Sequence, residues 1–186
     1  MINFLIRYPS KLTSRILLIT GLIIFIPIYS YMLKLFSDME INSQSFQNIL
    51  ISFDGNRFRD FCTQLDQQAH LQTFIYSYKL NILSVTGFML AFCSVLLIIA
   101  RNITTSSRLY KLAFVFPIIV LLITILDISS SAALLFASAD LQNISDGNVF
   151  FFDASYIVRT ILLYIIFIWI IGAIFYFIIR KIRKKK

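Results

Sequence analysis

The hydrophobic positions of this chain are gathered into four long stretches that are separated by polar connections. The stretches cover residues 16–36, 80–100, 112–137 and 157–179. A helix rises about 1.5 Å per residue, so about 20 apolar residues span a hydrocarbon core about 30 Å thick. Each stretch has about this length. We therefore predict an all-α membrane protein, a bundle of four transmembrane helices, in which residues 1–186 form one integral membrane domain.

Two of the connections, residues 37–79 and 138–156, are acidic and face the same side of the predicted bundle. The first of them begins with the polar segment 42–45, which predicts a loop. The pair Asp54-Gly55 that follows is typical of a turn.

Apolar residues return at three- and four-residue steps within the first connection. Phe58, Phe61 and Leu65 follow this spacing, with charged and amide side chains between them. Such a stripe predicts an amphipathic helix, which we place over residues 56–76 with Asn56 as its N-cap. We expect the stripe to face either the lipid headgroups or the bundle.

Prolines and small residues predict how the helices bend and pack. Pro27 in the first helix and Pro117 in the third each remove a backbone donor, so we expect a kink in the first helix and a bend near the start of the third. Gly87, Ala91 and Ser94 are small, and they predict close packing of a neighbour against the second helix.

The charged residues are sorted by sign along the chain, whose net charge is +8. Eight of the nine acids lie in the two connections described above. The other junctions carry basic residues and no acid, namely Arg7, Lys11, Arg15, Arg101, Arg108, Lys111, Arg180, Lys181, Arg183, Lys184, Lys185 and Lys186. Because basic loops are retained in the cytoplasm, we predict a multi-pass protein of the cell membrane with both termini cytoplasmic. The basic residues flank spans instead of forming one face, so we expect the lipid bilayer, and not nucleic acid, as their partner.

Asp127 is the one acid inside a predicted span. An unpaired ionisable group there costs at least about 2.5 kcal/mol, so it usually has a partner or lines a polar cavity. Arg159 at the start of the fourth helix, and Lys79 and Asn81 at the start of the second, have a similar expected depth. We therefore predict a polar cluster of these four residues, with Arg159 or Lys79 as the partner of Asp127. Three interpretations stay open: a structural ion pair, a pocket for a lipophilic ligand or an ion, or an Asp127 near water or protonated.

The sequence contains no Gly-x-Ser-x-Gly, no His-Glu-x-x-His and no phosphate-binding loop. Its single histidine, His70, and its two cysteines, Cys62 and Cys93, form no pattern typical of a metal or redox site. We predict no metal and no cofactor, and the sequence assigns no catalytic residue.

The order of these features resembles a set of small four-span prokaryotic membrane proteins that have no established activity. The residues that carry the resemblance are the amphipathic segment Leu65 to Phe74, Asp127 late in the third helix and Arg159 at the start of the fourth. This chain departs from the set where Asn81, Ser130 and Ser131 stand in regions that often hold acids. The four spans with an intramembrane acid are also similar to the emopamil-binding, or EXPERA, fold, a likeness that implies a sterol-sized cavity.

Three functions from different classes follow as hypotheses. The first is a non-enzymatic membrane component or a partner-binding subunit, because catalytic groups are absent. The second is a small lipophile-binding protein or isomerase with its pocket at Asp127. The third is a small transporter, which would be oligomeric because four spans enclose little space. Other membrane proteins, or further copies of the chain, are the protein partners that these hypotheses imply.

Overall fold

The computed structural model of this protein describes residues 2–7, 9–41, 43–103, 109–139 and 144–183. Asn42, Arg108, Asp140 and the terminal Lys184, Lys185 and Lys186 lie outside these ranges. The described part contains eight helices and no strand: α1 (Ile2–Arg7), α2 (Lys11–Asp38), α3 (Ser43–Leu50), α4 (Gly55–Gln67), α5 (Leu71–Asn102), α6 (Leu109–Ala113), α7 (Phe116–Ala139) and α8 (Asp146–Arg183). The prediction of an all-α fold is confirmed.

Four helical segments are long and apolar enough to cross a membrane: α2, α5, α6 with α7, and α8. The protein is therefore a multi-pass membrane protein with four spans, as the hydrophobic pattern predicts. The helices extend beyond the predicted apolar segments. α5 begins at Leu71 and α8 at Asp146, because their first turns pack against other parts of the protein through residues such as Phe74 and Phe152.

The amphipathic helix in the first connection is present as α4, but its bounds differ from the prediction. Asp54, and not Asn56, is the N-cap, since its carboxylate accepts hydrogen bonds from the N–H groups of Asn56 and Arg57. The helix ends at Gln67, so residues 71–76 belong to α5. Residues 43–45, predicted as loop, begin the separate helix α3.

The break between α4 and α5 is a Schellman motif centred on Ala69, whose φ of 59° lies in the left-handed region. The N–H of His70 donates to the carbonyl of Leu65 over 2.7 Å, and the N–H of Ala69 donates to that of Asp66 over 2.9 Å. These two bonds satisfy carbonyls at the end of α4 and turn the chain into α5.

The third span is interrupted before Pro117 instead of being bent within one helix. α6 ends at Ala113, and the N–H of Val115 donates to the carbonyl of Leu112 across a tight turn. Proline has no N–H to donate to a preceding carbonyl, but it is tolerated in the first turn of a helix. Pro117 accordingly stands in the first turn of α7. Pro27 lies inside α2, and the kink expected there stays a prediction.

The spans pack in the order α2, α5, α7 and α8, each antiparallel to its neighbour. α2 and α8 lie at the two ends of this row and make little direct contact with each other. The closest approach is between α2 and α5. A Cβ placed on Gly21 would lie 2.4 Å from the nitrogen of Ala91, and one on Gly87 would lie 2.8 Å from the nitrogen of Phe25. The small residues thus bring the two backbones together.

The two ends of the bundle differ in charge and in structure. We call the end that carries Lys11, Arg15, Arg101 and Lys111 the basic end. The opposite, acidic end is covered by a cap, which we define as α3, α4 and the first turns of α5 and α8, residues 71–78 and 146–156. The cap shares an apolar core with the adjoining ends of α2 and α7 and with the segment that leads into α8: Met39, Phe58, Cys62, Leu65, Leu71, Phe74, Leu134, Ala137, Ile144, Val149 and Phe152.

Candidate functional site

Asp127 and Arg159 form an ion pair between α7 and α8. Nη1 of Arg159 donates to Oδ1 of Asp127. The side chain of Asp127 is 12% exposed and that of Arg159 is 25% exposed, so the pair is largely withdrawn from the surroundings. The guanidinium carbon of Arg159 also lies 5.0 Å from the ring centroid of Tyr156, one turn earlier on α8. This stacking and the ion pair together hold the guanidinium in place.

Hydrogen bonds extend the polar region from α7 to α5. The side-chain amide of Asn81 donates to the hydroxyl of Ser131 over 3.0 Å. The hydroxyl of Ser130 donates to the backbone carbonyl of Asp127, also over 3.0 Å. Both serines are buried. Three helices therefore contribute polar groups at one level of the bundle.

A cavity of about 420 Å³ lies beside this polar region. Its lining comes from α2, from the segment leading into α3, from α3 itself and from α5, α7 and α8. The residues are Tyr29, Met32, Leu33, Phe36, Ile41, Phe46, Gln47, Tyr78, Asn81, Asp127, Ser130, Ser131, Phe152, Tyr156 and Arg159. The volume falls within the range of about 300–1,000 Å³ that is typical of small-molecule sites.

The cavity occupies the space between α2 and α8 that helix packing leaves unfilled. α5 and α7 supply its polar wall through Asn81, Ser130 and Ser131, and α8 adds Arg159. On the α2 side it is bounded by Tyr29 and Leu33, which are 44% and 53% exposed. Because these residues are both half-exposed and part of the lining, the α2 side of the cavity communicates with the surroundings of the bundle.

The cap closes the cavity toward the acidic end. Phe46 of α3 lines the cavity and packs edge-on against Phe74, with ring centroids 5.9 Å apart. Its ring also lies 5.3 Å from that of Phe61 on α4 and 6.1 Å from that of Phe36 on α2. This aromatic cluster joins the two cap helices to the spans and forms the roof of the cavity.

The structure brings three of the four predicted cluster residues together. Asp127, Arg159 and Asn81 all line the cavity. Lys79 is exposed, is absent from the lining and has no ion pair with Asp127 in the described part of the chain. The two candidate partners of Asp127 are thereby distinguished, since α8 supplies the basic residue that reaches it.

The residues of the amphipathic stripe lie on the bundle side of α4. Phe58 and Leu65 are buried in the cap core, and Phe61 packs against it. Of the two orientations that the pattern allows, the structure has the one that faces the bundle. The role of these residues is to hold the cap on the spans.

Sequence reasoning missed the aromatic residues beside the polar cluster. Tyr78 precedes Asn81 by three positions and Tyr156 precedes Arg159 by three, and both tyrosines line the cavity. Residues three apart share a helix face. The three-residue spacing could have indicated that each tyrosine lies beside a polar residue of the cluster. It does so only once the position of the cluster is known.

Two other buried groups belong to the cap. The carboxylate of Asp153 on α8 is 1% exposed and accepts the backbone N–H of Phe53 over 2.9 Å. It thereby ties the turn between α3 and α4 to α8. The thiol of Cys62 is fully buried in the cap core. Among the residues that the structure describes, no group of three His, Cys, Asp or Glu side chains is arranged to hold a metal ion.

Comparison with protein-family models, with curated proteins and with solved structures finds no match to this chain.

Proposed function

We propose that this protein binds a lipophilic molecule carrying a polar group, in the cavity between α2 and α8. The observation that supports this proposal is the coincidence of a cavity of about 420 Å³ with the ion pair of Asp127 and Arg159 in its wall. A helix bundle with a purely structural role would be more stable if side chains filled such a space.

The lining indicates the chemistry of the ligand. Aromatic side chains and Met32, Leu33 and Ile41 offer apolar surface for a hydrocarbon body. Asn81, Ser131 and Arg159 offer hydrogen-bonding groups along one wall. Because the charges of Asp127 and Arg159 compensate each other, a charged ligand would enter without a counter-charge. An uncharged amphiphile with a hydroxyl or carbonyl group fits these conditions best.

Binding without chemistry is the form of the activity that we favour. The hydroxyl of Ser130 is bonded to a backbone carbonyl, and the hydroxyl of Ser131 accepts from Asn81. Neither serine is therefore bonded to a general base, as a nucleophilic serine would be. We infer a non-enzymatic membrane component that holds or presents a lipophile.

We also infer the orientation of the protein. The basic end would face the cytoplasm of a cell membrane and the cap would face the other side, since Lys and Arg are retained on the cytoplasmic side. Single cysteines at the exposed positions Gln67 and Lys181, in a background lacking Cys62 and Cys93, test this inference. A membrane-impermeant maleimide should label Gln67→Cys in intact cells, and Lys181→Cys only after permeabilisation. The reverse pattern would refute the orientation.

Lipids that co-purify from native membranes test the binding proposal. Leu33 lines the cavity and Ile26, seven residues earlier on α2, does not, although the two are 53% and 54% exposed. Leu33→Trp should fill part of the cavity, and Ile26→Trp is its matched control. We expect mass spectrometry to find a lipophile enriched with the parent protein and with Ile26→Trp but depleted with Leu33→Trp. Equal recovery from all three proteins would contradict the proposal.

A partner-binding subunit without a small ligand is the second candidate. It is favoured by the ion pair of Asp127 and Arg159, which fastens α7 to α8 and needs no ligand to explain it. Under this alternative, a membrane protein or a second copy of the chain co-purifies, and Leu33→Trp changes no lipid. The same purification therefore separates the two candidates.

A further inference from the structure

We propose that the basic end contains a binding site for a phosphate-type anion, formed by Lys11 and Arg15 of α2 and by Arg101 and Asn102 of α5. These residues, with Ile98, line a second cavity of about 100 Å³. It lies at the opposite end of the bundle from the cavity of the proposed function and shares no residue with it. Its ligand would be the phosphate of an anionic lipid headgroup or a free phosphate ion.

The positive charges around this cavity are not balanced by acidic residues. Three cationic side chains converge on this small cavity. The chain has no Asp or Glu in residues 1–37, 67–126 or 154–186, which include every described segment at the basic end. Within the described part of the chain, no aspartate or glutamate is therefore placed to neutralise the three charges. An anion from outside relieves their mutual repulsion, and it does so most effectively where the cations surround it.

Arg101 is held in a fixed position. Its Nη1 donates to the hydroxyl of the fully buried Ser14 on α2 over 3.1 Å, and its Nη2 donates to the carbonyl of Leu5 on α1 over 3.1 Å. The guanidinium is thus held by two elements before any ligand arrives. Its Nε is buried and has no hydrogen-bond partner among the residues that the structure describes. A site with an ordered donor loses less entropy when the anion binds.

Asn102, the residue after Arg101, holds a further cation at this end of the bundle. The backbone carbonyl of Asn102 accepts a hydrogen bond from Nη1 of Arg180 on α8 over 3.3 Å. A fourth cation is therefore held close to the same end of α5. α1, α2, α5 and α8 meet here, so that an anion bound by Arg101 and Arg15 would also join helices that are far apart in sequence.

The position and size of the cavity favour the headgroup as the source of the phosphate. Lys11 and Arg15 begin the first span and Arg101 and Asn102 end the second, which is the level of lipid headgroups for helices of this length. A volume of about 100 Å³ suits one phosphate group and leaves no room for a larger body. The acyl chains of a lipid would then lie along the exposed face of α2.

The test compares two double variants that remove the same charge from the same end. Lys11→Gln with Arg15→Gln alters the site. Lys111→Gln with Lys181→Gln is the matched control, since both lysines are exposed and neither lines the cavity. Native mass spectrometry measures retention of added phosphatidylglycerol against phosphatidylcholine in detergent. Thermal unfolding with inorganic phosphate against chloride, at equal ionic strength, measures binding of the free ion.

We expect the site variant to bind phosphatidylglycerol roughly tenfold more weakly than the parent, because two basic contacts at the membrane surface are lost. The control should retain most of the parent's affinity. Stabilisation by inorganic phosphate that the site variant abolishes, without selective retention of phosphatidylglycerol, would identify the free ion as the ligand. Arg15→Gln alone, at an exposed side chain, replaces the double variant if that protein does not fold. Equal losses in site and control variants, or no binding of either probe, would overturn the proposal.

Discussion

The carboxylate of Asp127 on α7 accepts a hydrogen bond from Nη1 of Arg159 on α8, and both side chains lie in the wall of one cavity. The pair therefore joins two spans and at the same time borders a space that side chains leave empty. Stability and ligand binding make different demands on such a pair. An ion pair with a purely structural role needs only mutual compensation of charge, whereas a binding site also needs an accessible hydrogen-bond donor or acceptor.

A double-mutant cycle on Asp127 and Arg159 measures the contribution of the pair to stability. Asp127→Ala and Arg159→Ala should each lower the melting temperature in detergent, because each leaves one charge without its partner. The double variant should recover part of the summed loss, with a coupling free energy of roughly 1–2 kcal/mol. Strict additivity of the two single losses would show that the pair does not couple the helices.

Gly21 should be intolerant of any side chain. A Cβ at this position would lie 2.4 Å from the nitrogen of Ala91 and 2.6 Å from the carbonyl oxygen of Gly87, and backbone atoms cannot move aside as a side chain would. We expect Gly21→Ala to lower stability by about 1–3 kcal/mol through overpacking. Gly172→Ala is the control, since nothing lies within 4 Å of its added Cβ. Helix propensity alone should make that variant neutral or up to about 1 kcal/mol more stable. Similar melting temperatures for the two variants would contradict the close contact of α2 and α5.

Ala69→Gly should stabilise the cap. Ala69 has a φ of 59°, in the left-handed region that costs a residue with a Cβ about 1–2 kcal/mol. Glycine adopts this conformation freely, so the relief of backbone strain should exceed the extra conformational entropy that glycine loses on folding. We expect a net stabilisation of several tenths of a kcal/mol. Ala154→Gly, inside α8, is the matched control and should be destabilising. Thermal unfolding compares the two variants, and a loss of stability in Ala69→Gly would argue against the turn.

Cys62 should resist alkylation in the folded protein. Burial raises the pKa of the Cys62 thiol from its ordinary value of 9.0 to about 12. The thiolate is the reactive species, so at neutral pH its fraction falls roughly a thousandfold, and the fully buried sulfur is also shielded from the reagent. In a Cys93→Ala background, maleimide should modify Cys62 only after unfolding. Thr63→Cys, at the exposed neighbouring position in a background lacking both native cysteines, should react rapidly. Rapid labelling of Cys62 in the native state would mean that the cap opens.

The length of the four apolar stretches alone determines the four spans, because the cost of burying polar backbone and side chains in a bilayer acts on each segment separately. Two other features depend only on residues close together in the sequence and can be recognised there. They are the sorting of charges by sign and the apolar stripe of Phe58, Phe61 and Leu65. The similar depth of Asp127 and Arg159 also follows from counting residues along two helices.

Tertiary structure decided what depends on contacts between segments. Ala69 adopts a left-handed φ although alanine favours helix, because the ends of α4 and α5 are already held by the cap core. α5 and α8 both pack against α7. Arg159 pairs with Asp127 because its side chain lies in the cavity wall, whereas Lys79 is exposed. Hydropathy does not encode which way each side chain faces. No pattern of neighbouring residues in the sequence predicts the cavity. It exists because Gly21 and Gly87 draw α2 onto α5 while α7 holds α8, so that the two outermost helices stay apart and no side chain fills the space between them.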